Sequence, residues 1–254
     1  MASIINKGIT YCTTYYNEPE LLYDLLEQFH TEIFERIIIV DDGSEEKPAL
    51  PIVKMFPRLP ITLLRIKKDL GFNSHGARNL AMRHTETEWA LLTDIDMYYD
   101  ASIAGDIQEE ANNNGKGNYY NFWVNSKQDY IGRCEMTHND FLIRTEDFWV
   151  SGGYDEEFTG IHYGDRIFVE RLNTYLKRTT MPNIVIDKRM GRKTIMTDTV
   201  DKTTYDNKNH LILHPLLDET RLKRLTDAVS YRNERRELWQ RDNILQFDWE
   251  LIKL

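Results

Sequence analysis

The chain has 254 residues, 41% of them hydrophobic and 29% charged, with 41 acids against 32 bases and a formal net charge of −9. That composition excludes wholesale disorder and collagen-like or low-complexity repeats, and the length is ample for a core burying roughly 70–75% of the unfolded surface. The acidic balance excludes a dedicated DNA coat or a polybasic membrane-surface protein, while leaving room for a local basic groove.

Residues 8–15 are β-branched and aromatic and read as a strand, which stops at Asn17-Glu18-Pro19-Glu20. Asn17 is the expected N-cap of a helix whose Leu21, Leu22, Leu25, Leu26 and Phe29 recur at helical spacing. The continuous apolar run Arg36-Ile37-Ile38-Ile39-Val40 suits a strand buried on both faces of a parallel sheet, and it ends in the polar turn Asp41-Asp42-Gly43-Ser44. Residues 61–66 follow as a strand, 74–84 as a helix capped by Ser74, and 89–93 as another buried strand running into Asp94-Ile95-Asp96. Strands alternating with helices predict an α/β fold with a mostly parallel sheet, whose ligands bind beyond the carboxyl ends of the strands. Glu18, Asp41/Asp42 and Asp94/Asp96 all fall at such ends.

Further on, 101–115 reads as a helix, 118–125 and 140–144 as strands, 164–176 as a helix and 183–187 as a strand. Periodicity weakens over residues 188–210, which mix Lys, Arg, Thr and Asp and read as a loop candidate, and helical spacing returns over 216–242. The aromatics Tyr119, Tyr120, Phe122, Trp123, Trp149 and Tyr154 suit either sugar stacking or the core. Cys12 and Cys134 read as buried free thiols, which fits a reducing cytoplasm. No window approaches the ~20 apolar residues of a membrane span, so a soluble protein, at most peripheral to a membrane, is expected.

Asp94 and Asp96 can converge on one hard cation if the chain turns between them, and Mg²⁺ or Mn²⁺ bound by carboxylates keeps sites open for phosphates. A carboxylate at Asp41 or Asp42 can accept an N–H from a nucleobase, and Arg78 on a helix can contact an anion. Asp165 follows Gly164 at a helix start, where the positive end of the macrodipole is expected to lower its pKa.

In order and spacing these features resemble family 2 glycosyltransferases, which have the GT-A fold. The motifs that carry the resemblance are Tyr16-Asn17-Glu18, Val40-Asp41-Asp42-Gly43-Ser44, Gly76-Ala77-Arg78-Asn79, Thr93-Asp94-Ile95-Asp96 (a DxD motif) and Gly152-Gly153-Tyr154-Asp155-Glu156-Glu157-Phe158. The resemblance implies that Thr13, Thr14 and Tyr15, with Glu18, line a nucleoside pocket, and that Asp41 or Asp42 holds the base. It implies Arg78 beside the nucleotide, Asp94 on the ribose and metal, Asp96 as the more direct metal ligand, and His210 or His214 as a further ligand. The family's catalytic base falls on Asp165, but Gly164 replaces the usual Glu before it and Ile167 replaces a second Asp. His162 is a possible acceptor contact.

The expected architecture is a GT-A-like catalytic domain over 1–187, with a nucleotide-sugar half (1–100) and an acceptor half (101–187). Residues 188–254 would form a loop and helical extension packed on the same domain. The implied activity is metal-dependent, inverting transfer from a UDP-sugar to a hydroxyl, with a glycan as the leading acceptor and a nucleic-acid base as a minor one. Two rivals remain, a sugar nucleotidyltransferase and a non-catalytic nucleotide- or carbohydrate-binding module. The acidic, aromatic Tyr15–Pro19 stretch is unlike a triphosphate loop, and a placed Asp165 is superfluous to mere binding.

Overall fold

The first β-α-β unit forms as expected: β1 (Ile9–Tyr15) pairs in parallel with β2 (Phe34–Asp41), and α1 (Pro19–Glu27) connects them. The computed structural model describes residues 8–113, 117–125, 134–136, 139–159, 164–188, 204–206, 211–213, 219 and 245–254. Ile37, Ile38, Ile39 and Val40 are fully buried, which is why β2 reads as an unbroken apolar run. Asn17 departs from its expected role, because the N-cap of α1 is Glu18. Asn17 instead takes a left-handed φ of 52°, which Asn tolerates better than most residues. Its N–H donates to Ser44 Oγ at 3.0 Å, and its Oδ1 accepts from Lys47 N at 2.9 Å. That conformation fastens the end of β1 to the turn after β2.

α2 (Leu50–Val53), β3 (Ile61–Ile66), α3 (Ser74–Arg83) and β4 (Trp89–Asp94) continue the winding. The N-cap of α3 is Asn73, one residue before the expected Ser74. The order β3-β2-β1-β4 is parallel throughout. Its register sets Tyr15 beside Asp41 and Thr14 beside Asp94, so the acidic strand ends meet at one edge.

Beyond β4 the sheet becomes mixed, unlike the mostly parallel expectation. β8 (Phe141–Arg144) pairs antiparallel with β4, and β6 (Asn118–Asn125) antiparallel with β8. β9 (Lys177–Lys188) then runs parallel to β6, and the two-residue β5 (Met97–Tyr98) closes that side. β7 (Cys134–Met136) pairs with β6, while β10 (Thr204–Asp206) and β11 (Leu211–Leu213) form a separate two-stranded ladder.

Alternate residues of the central strands feed two cores. Tyr11, Ile37, Ile39 and Leu91 pack with α1, α2 and α4 (Ala101–Asn113); Cys12, Ile38, Val40 and Leu92 pack with α3, α5 (Thr145–Val150) and α6 (Gly164–Tyr175). Helices thus cover both faces, as the α/β reading requires. Tyr119, Tyr120, Phe122 and Tyr154 are core residues, and Tyr154 stacks on Phe168 at 4.1 Å between centroids. Trp123 and Trp149 alone of the aromatic set keep partial exposure. Cys12 is a buried free thiol, pushed up to about 12 by burial.

An element without a counterpart in the sequence pattern is β12 (Trp249–Ile252), which adds antiparallel to the outer edge of β3. Lys67 N donates to Asp248 O at 2.9 Å, and Trp249 packs edge-on against His84 at 5.0 Å. The helical pattern over 216–242, and most of the 188–210 loop, lie outside the described residues. Among the described residues no helix is long and apolar enough to cross a membrane.

Gly43 carries the sharp turn after β2, with φ +74° and only 2.8 Å between an added Cβ and the backbone of Lys68 and Asp69. Gly43→Ala should cost about 2 kcal/mol, from left-handed strain plus a backbone clash. Thermal melts should show Tm lower by roughly 4–8 °C, and an unchanged Tm would mean that the turn yields.

Candidate active site

Arg78 is the node of the site. It projects from α3 and is 2% exposed. One guanidinium nitrogen donates to Asp94 Oδ1, and another donates to the Asn139 carbonyl and, at 3.1 Å, to the Tyr154 hydroxyl. Its Cζ also lies 5.6 Å from the Tyr154 ring centroid. Two guanidinium nitrogens of one rigid fork reach these three acceptors, a spread that the single nitrogen of an ammonium lacks.

The next residue, Asn79, explains how helix and turn are locked together. Its Oδ1 accepts from Tyr154 N at 2.8 Å, while Nδ2 donates to Tyr154 O at 3.0 Å and Glu156 Oε1 at 2.8 Å. Glu156 in turn accepts the Leu245 N–H at 3.0 Å. Arg171 on α6 donates to Gly153 O at 2.8 Å and to Asp155 Oδ2 at 3.2 Å. Asp155 Oδ1 also caps the short 3₁₀ turn Glu156–Phe158 by accepting Glu157 N at 3.1 Å. The Gly-Gly-Tyr-Asp-Glu turn is therefore a scaffold that holds Tyr154 against Arg78.

Asp94 ends β4 and Asp96 lies two residues on, within the turn at 95–96. Thr93 Oγ1 donates to Asp140 Oδ1 at 2.6 Å, and Asp94 N donates to the same oxygen at 3.0 Å. Burial, and then the Asp94 charge, push Asp140 up to about 7. Sequence reading passed over Asp140, since a single Asp before a strand is an ordinary residue.

Asp165 is the second residue of α6, with its side chain 13% exposed. The expected downward pull of the helix terminus is overturned, because burial raises this carboxyl to about 7; Arg78 pulls it down and Asp94 pushes it up. Desolvation outweighs the partial charge of one helix end. The His75 ring lies beside it, with Nε2 3.9 Å from Asp165 Oδ1.

At the end of β2, Asp41 is committed to its own turn. Its oxygens accept Ser44 N at 2.9 Å and Ala49 N at 2.8 Å. Asp42 accepts Asn73 N at 3.1 Å and Asn73 Nδ2 at 3.3 Å, and burial raises it to about 7. Tyr16, two residues before Glu18, donates to Asp69 Oδ2 at 2.6 Å. Thr13 and Glu18 are buried and Thr14 half-buried; Tyr15 is buried and donates to the Lys47 carbonyl. Asn73, Asp69 and His75 escaped sequence reading, because their partners are distant in the chain.

Asp94 and Asp96 offer hard oxygen donors of the kind that suit Mg²⁺ or Mn²⁺. Among the described residues no group of three or more His, Cys, Asp or Glu is arranged to hold a metal. His162, His210 and His214 lie outside the described residues.

The sequence matches the glycosyl transferase family 2 over residues 10–168. No curated protein matches the chain. Among solved structures, TarS 1–349 from S. aureus is similar at TM-score 0.60 and 16% identity, over 72% of this chain and 60% of that one. The same protein in complex with UDP is similar at TM-score 0.57 and 17% identity, with the same coverage. The mannosyltransferase PcManGT from Pyrobaculum calidifontis, in complex with GDP-Man and Mn²⁺, is similar at TM-score 0.57 and 15% identity, over 88% of this chain and 70% of that one. The chain thus spans 60% of the length of TarS 1–349, and at these identities the likeness is one of fold. With the family matched across most of the sequence and the fold agreeing, the chain belongs to glycosyl transferase family 2.

Proposed function

We propose that this enzyme is a metal-dependent, inverting glycosyltransferase that moves a sugar from a nucleoside-diphosphate sugar, first of all a UDP-sugar, to an acceptor hydroxyl on a glycan. One observation carries the reading: a buried arginine, Arg78, binds Asp94 and lies within electrostatic reach of Asp165. The residue at the end of β4 and the carboxyl at the start of α6 therefore share one site. UDP and GDP-Man in the similar structures support a nucleotide-linked donor.

In this reading Thr13, Thr14, Tyr15 and Glu18 bound the nucleoside pocket. Asp41 or Asp42 holds the base: both oxygens of Asp41 accept backbone amides, and those of Asp42 accept from Asn73. Asp94 and Asp96, with His210 as a further ligand, hold Mn²⁺ or Mg²⁺, which when bound supplies charge neutralisation for the departing diphosphate. Arg78 orients Asp94 and adds positive potential beside the phosphates. Asp165 takes the proton of the acceptor hydroxyl as its oxygen bonds to the anomeric carbon and the carbon–phosphate oxygen bond breaks. Attack from the face opposite the leaving group inverts the configuration.

Calorimetric titration with UDP, with and without Mn²⁺, tests the donor site. UDP should bind in a metal-dependent way, and Asp96→Ala should weaken that binding at least tenfold. If UDP binds neither with nor without Mn²⁺, the UDP-sugar reading fails; GDP, CMP and dTDP then test for a different carrier.

A further inference from the structure

His75 is fully buried on α3, and nothing above gives it a task. Its ring is held between Phe72, edge-on at 5.8 Å, and Tyr154, tilted at 5.8 Å. Its Nε2 lies 3.9 Å from Asp165 Oδ1, an oxygen that accepts no hydrogen bond among the described residues. The residue before Asp165 is shaped around this ring. A Cβ added to Gly164 would come within 2.5 Å of both Nε2 and Cδ2 of His75. The imidazole therefore occupies the space that a side chain at 164 would need, which gives a physical reason for the glycine in front of the base.

An aspartate can rotate about its Cα–Cβ and Cβ–Cγ bonds, and a base that rotates loses the alignment on which its efficiency depends. A neighbour with an N–H on a rigid, caged ring removes that freedom. Resting on the role proposed above for Asp165, we propose that His75 is a positioning residue, which donates Nε2–H to Asp165 Oδ1 and so turns the second carboxylate oxygen toward the acceptor hydroxyl. Hydrogen bonds of this kind are often long in an empty site and shorten when it fills. The acceptor proton goes to the second oxygen, while the His75 proton stays on Nε2. His75 thus acts through Asp165 and does not itself exchange a proton with the substrate.

The test separates ring volume from the N–H. His75→Phe keeps a ring in the cage and removes the donor; His75→Gln restores a donor on a flexible chain. Release of UDP from UDP-glucose, UDP-galactose and UDP-N-acetylglucosamine with Mn²⁺ measures turnover with water as acceptor, and UDP calorimetry measures donor affinity. His75→Phe should lower kcat by about 10–100-fold, the scale of a small misplacement of a catalytic group, with Kd for UDP unchanged, and His75→Gln should recover most of the loss. Turnover of His75→Phe within twofold of the parent, or equal losses in both variants, overturns the proposal. Asp165→Asn run alongside keeps the two ideas apart. If Asp165→Asn is inactive and His75→Phe is normal, only the role of His75 falls; if Asp165→Asn is active, the base assignment falls and takes this role with it. Nitrogen-15 NMR of the unsubstituted protein gives a readout that needs neither turnover nor a folded variant. The proton should reside on Nε2 of His75, and a ring protonated at Nδ1 alone overturns the proposal.

Discussion

Asp165→Asn should cut transfer by about 10²–10⁴-fold, the usual worth of a positioned general base, while UDP binding stays within about threefold. The same substitution should stabilise the protein. The carboxyl rises from 3.8 in its ordinary state to about 7 in the fold, so the folded chain holds a proton there that the unfolded chain has released. The folded state binds more protons across that interval, and its stability therefore falls as pH rises from about 4 to about 7. Asn has no charge to desolvate. The variant should melt close to its parent at about pH 4 and several degrees above it at pH 8, by roughly 2–4 °C per kcal/mol. Activity of the parent should rise with pH and level off above about 7, as the carboxylate forms. Differential scanning calorimetry across pH, with single-turnover rates, checks both halves. A variant that gains no Tm at pH 8 would show that the carboxylate is solvated in the fold. Near-normal transfer by the variant would remove Asp165 from the role of base.

Arg78→Met should have the largest effect on the fold. The guanidinium bonds Asp94 and is the group that draws Asp140 and Asp165 down among the described residues. Removing one partner of a buried ion pair leaves an uncompensated charge and typically costs 3–5 kcal/mol. The bonds to Asn139 O and the Tyr154 hydroxyl disappear at the same time. Thermal melts should show a fall of roughly 6–20 °C. Arg78→Lys should recover little of it, because the single nitrogen of an ammonium cannot span acceptors that two separate guanidinium nitrogens reach. A fall below 2 °C in Arg78→Met would mean that the carboxylates find protons or solvent at little cost.

Much of the fold is legible in the chain because period and strand order are local properties. The run Ile37–Val40 can only be a strand covered on both sides, and the acids at the ends of β1, β2 and β4 come together once those strands are parallel. Asp94, Arg78 and Asp165 could be picked out from motif order, and the structure brings them within one electrostatic field. Other features depend on contacts between distant segments and leave no local trace. The length of a helix suggests nothing about whether its first carboxyl will be desolvated, so the direction of the Asp165 shift came out opposite to the macrodipole argument. Asn17 carries the sequence signature of a cap, yet its amide and side chain are drawn to the turn after β2 by Ser44 and Lys47. His75 reads as an ordinary residue of an amphipathic helix until Gly164 is set beside it.

β12 has a consequence for self-association. Without it, β3 would be the outermost strand, and its Ile-Thr-Leu-Leu-Arg-Ile ladder would offer unpaired amides and carbonyls to any passing extended segment. Exposed apolar edges of that kind template intermolecular sheets. With it, the sheet is bounded by a four-residue strand on one side and the two-residue β5 on the other, both short templates for an incoming strand. β12 thus shields the outer edge of β3 from intermolecular pairing, at the end of the strand order opposite β5.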